Sequence, residues 1–431
     1  MKKNPDGPDG YPYRLKSSQG RGIFSWCMYD FANSAFPTLI VTVAYSVYFK
    51  QIVAGGGGSG DLLWGVSLSI AMIVSVTITP PLSAIADRQS ARKRFLILFA
   101  YICVIATALL GYVTAGMIFT GMALFIIATA AFESSLIFYN SFLPDVSTPK
   151  TIGKVSGWGW GLGYLGGLLC LFLVKPLLAG GFSQENLPLF RMSFVAVAGF
   201  YGLFTLPLIF WLHEAKMNSA KESEKGAFAE LWKTLRDTKK TPGALRFLVA
   251  FFLYNDGIVT VISFSSIYAV STLKFSMGEV LSLFIMVQVS AGIGAFALGY
   301  LTDAWGPRKT ILLTLVNWCV VVIVAYFTET KYVFLGVSLL AGLSLGSSQS
   351  ASRTLMASYI PEKRAAQSFS FYGICGKMSS VLGPLVFGGV SALTGDQRTA
   401  ILSVLIFFLV GGTLLWLTPE TRKSPLTNSE A

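Results

Sequence analysis

Charge is what this chain has least of. Asp, Glu, Lys and Arg make up 13% of its 431 residues, where a soluble domain carries about 25%. Histidine occurs once, as His213, at the polar end of an apolar run, where it reads as an interfacial side chain rather than a proton relay. The five cysteines (Cys27, Cys103, Cys170, Cys319, Cys375) are irregularly spaced inside apolar runs and none forms a CxxC pair. That speaks against disulfide and zinc frameworks and leaves them as small core residues. No GxxxxGK[ST] loop is present, and no metal cluster or nucleophile–base pair is apparent, so no cofactor is expected. Met1 to Gly22 is polar, without the apolar core of a signal peptide, and the first apolar run is too long to be one.

What the chain does have is long apolar runs. Hydrophobic residues are 53% of the total, which predicts an all-α polytopic membrane protein. Twelve spans are expected. The first six lie near 23–53, 61–84, 95–114, 117–143, 155–178 and 190–212. The second six lie near 244–272, 278–301, 309–328, 332–354, 366–393 and 398–418. The longest connection, 213–243, separates two six-helix bundles, 23–212 and 244–418, with tails 1–22 and 419–431. This division reads as an internal duplication. Within the connection, Phe228, Leu231, Trp232 and Leu235 recur at helical spacing among lysines and Arg236, as in a helix lying on a membrane surface.

The net charge of +12 has a topological reading. With the N-terminus placed in the cytoplasm, 25 of the 33 basic residues fall on that side and six on the other. Both termini are therefore expected to be cytoplasmic, in what reads as a bacterial inner membrane. The positive charge needs no nucleic acid to explain it, only membrane lipids.

Polar residues inside the spans are the informative minority, because an acid at a helix centre costs about 2.5–3.5 kcal/mol to insert. Asp30 and Asn33 share a helix face in Tyr29-Asp30-Phe31-Ala32-Asn33-Ser34-Ala35-Phe36. Tyr254-Asn255-Asp256 repeats the pattern in the first span of the second half. Glu133, Tyr139 and Asn140 lie in span four, Arg353 in span ten and Lys377 in span eleven. Low dielectric makes such charges pair or neutralise, and loss of water favours the neutral form of a carboxyl. Asp256 or Glu133 is thus a candidate proton carrier, with Lys377 or Arg353 holding an anionic group or pairing with an acid. A fixed structural ion pair is the competing explanation. Gly161-Leu162-Gly163-Tyr164-Leu165-Gly166 fits GxGxxG, but no strand precedes it, so its glycines read as helix-packing positions. Trp158 and Trp160 beside them are candidates for a cavity wall, and Gly383-Pro384 is expected to kink span eleven.

Two connections look like copies of each other. Ala86-Asp87-Arg88-Gln89-Ser90-Ala91-Arg92-Lys93-Arg94 follows span two, and Gly299-Tyr300-Leu301-Thr302-Asp303-Ala304-Trp305-Gly306-Pro307-Arg308-Lys309 follows span eight. An Asp at a helix C-terminus is misplaced unless a cation or a helix N-terminus faces it, so each turn reads as a charge latch. The pair resembles the loop signature of the major facilitator superfamily, though Ser90-Ala91 and Ala304 depart from it. The resemblance implies that Asp87, Arg88, Arg92, Asp303, Arg308 and Lys309 stabilise one state of an alternating-access cycle and separate in the other. It also implies that spans one, four, seven and ten line a central cavity.

The stretch from Tyr29 to Ala35, with Phe138-Tyr139-Asn140, Leu143-Pro144-Asp145, Gly157 to Tyr164, Leu253 to Gly257, Tyr372-Gly373 and Gly376-Lys377, is similar to a narrower branch. That branch contains the fungal autophagy-related vacuolar effluxers, associated with amino-acid release, and their bacterial relatives. The expected function is that of a secondary transporter of small polar solutes working as a monomer; the resemblance implies amino acids or short peptides as substrates, and the buried acids imply coupling to protons. A lipid or amphiphile transporter and a non-transporting receptor or scaffold remain as alternatives. An enzyme is not expected.

Overall fold

The computed structural model describes residues 16–147, 152–214, 242–359, 372–373 and 375–418, and among these every regular element is a helix. Helix α1 begins as Lys16–Asn33 and continues through wide π-helical turns, Phe36–Val43 and Phe49–Val53, on either side of Tyr45–Tyr48. The first wide stretch opens at Pro37, which has no amide to give the regular ladder. The first half is completed by α2 (Gly58–Arg88), α3 (Arg92–Leu109), α4 (Ile118–Ser141), α5 (Ile152–Leu178) and α6 (Leu187–Trp211). The second contains α7 (Pro242–Ser271), α8 (Met277–Trp305), α9 (Pro307–Phe327), α10 (Lys331–Tyr359) and α11 (Leu382–Thr394). Helix α12 (Gln397–Ser403, continued by Leu405–Trp416) closes it.

Eleven stretches among the described residues are long and apolar enough to cross a membrane. The remaining expected span, 366–393, is interrupted. A helical piece at 375–378 is separated from α11 by a break at 379–381. Pro384 cannot donate to the carbonyl of residue 380 and its ring crowds it, so the helix parts just before the Gly383-Pro384 pair. The surface helix expected around Phe228 to Leu235 lies outside the described residues.

The two latch-like turns close differently. Ser90 holds φ at 48°, and the amide of Ala91 reaches the carbonyl of Ala86, so a left-handed serine ends α2. Gly306 sits at φ 89°, ψ 151°, which favours glycine, and Pro307 then starts α9. Replacing Ser90 with Gly is expected to raise stability by up to about 1 kcal/mol, read as a higher midpoint in detergent melts.

Close helix packing rests on glycine. A methyl group on Gly166 of α5 would collide with the Phe31 carbonyl of α1, and one on Gly163 would come 2.8 Å from Ser34 Oγ. Between the halves, Gly65 of α2 lies against the Pro384 carbonyl, and Gly388 of α11 comes within 2.7 Å of the Asp61 carbonyl by the same measure. These contacts between halves, with a Gln51–Ser271 hydrogen bond of 2.8 Å, gather at one end of the bundle. That end is opposite to where α1 starts and α12 finishes. The two ends are called the distal face and the termini face below.

Candidate functional site

Asp30 stands half-buried on α1 in a corner made by α4 and α5. A methyl on Gly159 would come 2.8 Å from Asp30 Oδ2 and 3.2 Å from the Tyr139 hydroxyl, so only glycine leaves room for both. Tyr139 is fixed by stacking on Trp26, with centroids 4.4 Å apart, and the Trp26 indole donates to the Tyr139 carbonyl at 3.1 Å. Asn33 lies one turn further along α1. The Asn33 side-chain nitrogen and the Tyr139 hydroxyl are both buried without a closed hydrogen bond among the described residues. A carboxylate flanked by two polar groups that close no tight hydrogen bond can exchange these neighbours for a polar ligand.

The second half repeats the scaffold with a different outcome. Tyr29 donates to Ser135 of α4 at 2.7 Å, and Tyr254 pairs with Ser352 of α10 at 2.7 Å. The tyrosines therefore do one job in both halves. Their neighbours do not. Asn255, in the place of Asp30, donates to Ser379 Oγ at 2.6 Å, at the break before α11. Asp256 is fully buried, and its Oδ2 accepts from the Leu382 amide at 3.1 Å, at the exposed-donor end of α11. Its Oδ1 has no hydrogen-bond partner among the described residues. Asn255 and Asp256 thus clasp the two sides of an interrupted helix.

Arg353 of α10 and Lys377 before the break reach across the seam. The Lys377 ammonium lies 2.7 Å from Glu133 Oε2 and 2.5 Å from the Glu133 carbonyl, joining α4 to the α11 segment. Arg353 is exposed, its guanidinium 5.1 Å above the Trp160 ring of α5. Among the described residues it makes no ion pair, and Trp160, which it covers, is the neighbour in sequence of the Gly159 that faces Asp30. Asn140, also exposed, sits nearer the end of α4 and is not drawn into this cluster. The structure thus brings Asp30, Asn33, Tyr139 and Arg353 to one place and Glu133 with Lys377 to another. Asn255 and Asp256 go to the helix break.

The loop residues have other partners. Arg92 is buried and lies 2.6 Å from Asp145 and 3.1 Å from the Ser141 carbonyl, both in the first half, and 3.5 Å from Glu214 at the start of the connection. Lys93 Nζ donates to the Leu212 carbonyl at 2.6 Å, and Arg308 donates to the Leu415 and Trp416 carbonyls. Each is a cation at the start of a third helix that satisfies the last carbonyls of a sixth. Lys309 is exposed, and the side chains of Asp87, Arg88 and Asp303 lie outside the described residues. Asp145 was visible in the sequence only as part of Leu-Pro-Asp, and nothing in the pattern paired it with Arg92.

Two helical halves packed about a polar seam define a transporter of the major facilitator class, not an enzyme. A family model described as "Vacuole effluxer Atg22 like" matches residues 63–425, and the chain belongs to that family. Among its relatives is an uncharacterized MFS-type transporter, YxiO, of Bacillus subtilis, 29% identical, aligned over 94% of this chain and 96% of the relative. Autophagy-related protein 22 of Kluyveromyces lactis is 22% identical over 80% and 77%. A similar solved structure is a bacterial homologue of the human lysosomal transporter Spinster, inward-facing and unoccupied. It has a TM-score of 0.70 at 15% identity and covers 94% of this chain and 97% of that one. It supports the fold alone.

Proposed function

We propose that this transporter moves small zwitterionic solutes, amino acids or short peptides, through the seam between its halves by proton-coupled alternating access. The observation that carries the proposal is that Asp30, against Gly159, and Arg353, over Trp160, reach neighbouring residues of α5 from opposite halves, with the Tyr139 hydroxyl beside Asp30. A solute with an ammonium and a carboxylate group matches that pair, and it touches both halves at once. Arg353 suits a carboxylate because its planar fork binds two oxygens together. Asp256, buried with one oxygen unpartnered, is the proposed proton carrier. The excess of Lys and Arg at the termini face supports a cytoplasmic orientation for it, in a bacterial inner membrane.

A cavity of about 180 Å³ favours a second reading. It lies inside the second half against α1, lined mostly by apolar side chains of α7 to α10 and α12, with Thr38, Thr42, Ser265, Gln288 and Ser338 among them. Such a space accepts an apolar group, so an amphiphile is the rival substrate.

The test uses purified protein in liposomes that enclose a pH-sensitive dye, with amino acids, dipeptides and lipids offered in turn. Wild type is expected to move protons only with a matching solute. Arg353→Gln and Asp30→Asn should each raise the half-saturating concentration about tenfold or more, the scale of one charge-assisted hydrogen bond. Asp256→Asn should abolish proton movement while solute exchange continues. Folded protein that is silent to every amino acid and dipeptide but responds to lipids would overturn the substrate class.

A further inference from the structure

Asp61 begins α2 at the distal face, fully buried, and it belongs neither to the seam site nor to the loop pairs. One of its oxygens, Oδ2, accepts three hydrogen bonds: from Lys50 Nζ at 2.9 Å, Ser391 Oγ at 2.6 Å and Gln397 Nε2 at 2.8 Å. Lys50 also lies 2.9 Å from Oδ1, and its side chain is 5% exposed. The partners divide between the halves. Lys50 is on α1, whereas Ser391 is on α11 and Gln397 on α12. Gln397 then accepts from Thr272, at the end of α7, at 2.7 Å. The backbones approach closely here because a methyl on Gly58 would collide with the Ser391 carbonyl, and Gly388 faces Asp61.

We propose that Asp61 is the hub of a polar lock that holds the distal face shut, a proposal that rests on the alternating-access reading above. The chemistry gives the lock its character. Lys50 and Asp61 travel together in the first half, so their charges remain paired when the halves part. What parting costs is the pair of donors from the second half. Hydrogen bonds to a charged acceptor are stronger than neutral ones, and in a buried site the lost donors are replaced only when water enters. The lock therefore opens all at once, with hydration of the seam, and closes by expelling that water. Asp61 is a positioning residue in this scheme and touches no substrate.

Spin-label distances test it. Nitroxides go at Tyr112 and Tyr332, exposed residues of the two halves at the distal face, or at Arg94 and Trp305, exposed at the termini face. The background carries replacements of the five native cysteines. Asp61→Asn is expected to raise the ratio of long to short distal distances about tenfold, and Gln397→Leu about threefold. Gln397→Leu leaves the Lys50–Asp61 pair whole, so it serves if Asp61→Asn fails to fold. A matching shortening of the termini-face pair would support both the lock and alternating access. Distal lengthening without it would uphold the lock and overturn alternating access. An unchanged distal distribution in folded Gln397→Leu would overturn the lock.

Discussion

Adding one methyl group at Gly166 is expected to unfold much of this protein, while adding one at Gly161 in the same glycine-rich run leaves it intact or slightly stabilised. At Gly166 the new carbon would overlap the Phe31 carbonyl, with the Phe31 Cα only 2.8 Å away. The obstacle is backbone, so no rotamer change relieves it, and α1 and α5 must separate. Overpacking costs about 1–3 kcal/mol where side chains can yield, and more is expected here. Lost contact also propagates, since Gly163 and Gly167 meet Ser34 and Thr38 along the same line. At Gly161 nothing lies within 4 Å, and alanine is favoured over glycine inside a helix by about 1 kcal/mol. Melting of Gly166→Ala and Gly161→Ala in detergent, followed by size-exclusion profile, should give shifts of opposite sign. Equal behaviour of the two variants would show that the close approach of α1 and α5 is wrong.

Lys377→Met should be the most damaging single change in the seam. It leaves Glu133 partly buried with no cation, and removing one partner of a fully buried pair costs about 3–5 kcal/mol. Each side chain here keeps 16% of its surface exposed, so about 2–3 kcal/mol is expected. Lys377→Met with Glu133→Gln removes both charges and should recover most of that stability, giving a coupling of about 1–2 kcal/mol in a double-mutant cycle. Transport should not recover, because the bond joins the two halves across the path. A coupling near zero would mean that the pair is not formed in the membrane. Recovered transport would mean that it is only structural.

These two positions differ in how legible they were. Lys377 and Glu133 stand out from sequence because each charge is costly in an apolar run, whatever surrounds it. Gly166 stands out only as one member of a run, and nothing in the run separates it from Gly161. Which glycine faces a neighbour depends on the rotation of α5 against α1. Asp61 was hidden for a related reason. It stands at the edge of the second apolar run, where a carboxylate reads as a solvated helix end. Folding then brings α11 and α12 over it.

The sequence by itself determined the class: a membrane chain of helical spans, a repeat marked by Tyr29 and Tyr254, and a short set of polar residues within apolar runs. Those are properties of single residues and their periodicity, set by what each side chain costs in hydrocarbon. Only the tertiary structure decided the partners. It set Asp30 against Gly159 and Arg353 over Trp160, gave Asp256 to the amide end of α11, turned Arg92 to Asp145, and closed Ser391 and Gln397 over Asp61. Pairing depends on distance and direction between segments far apart in the chain, and neither is written in the composition of any one of them.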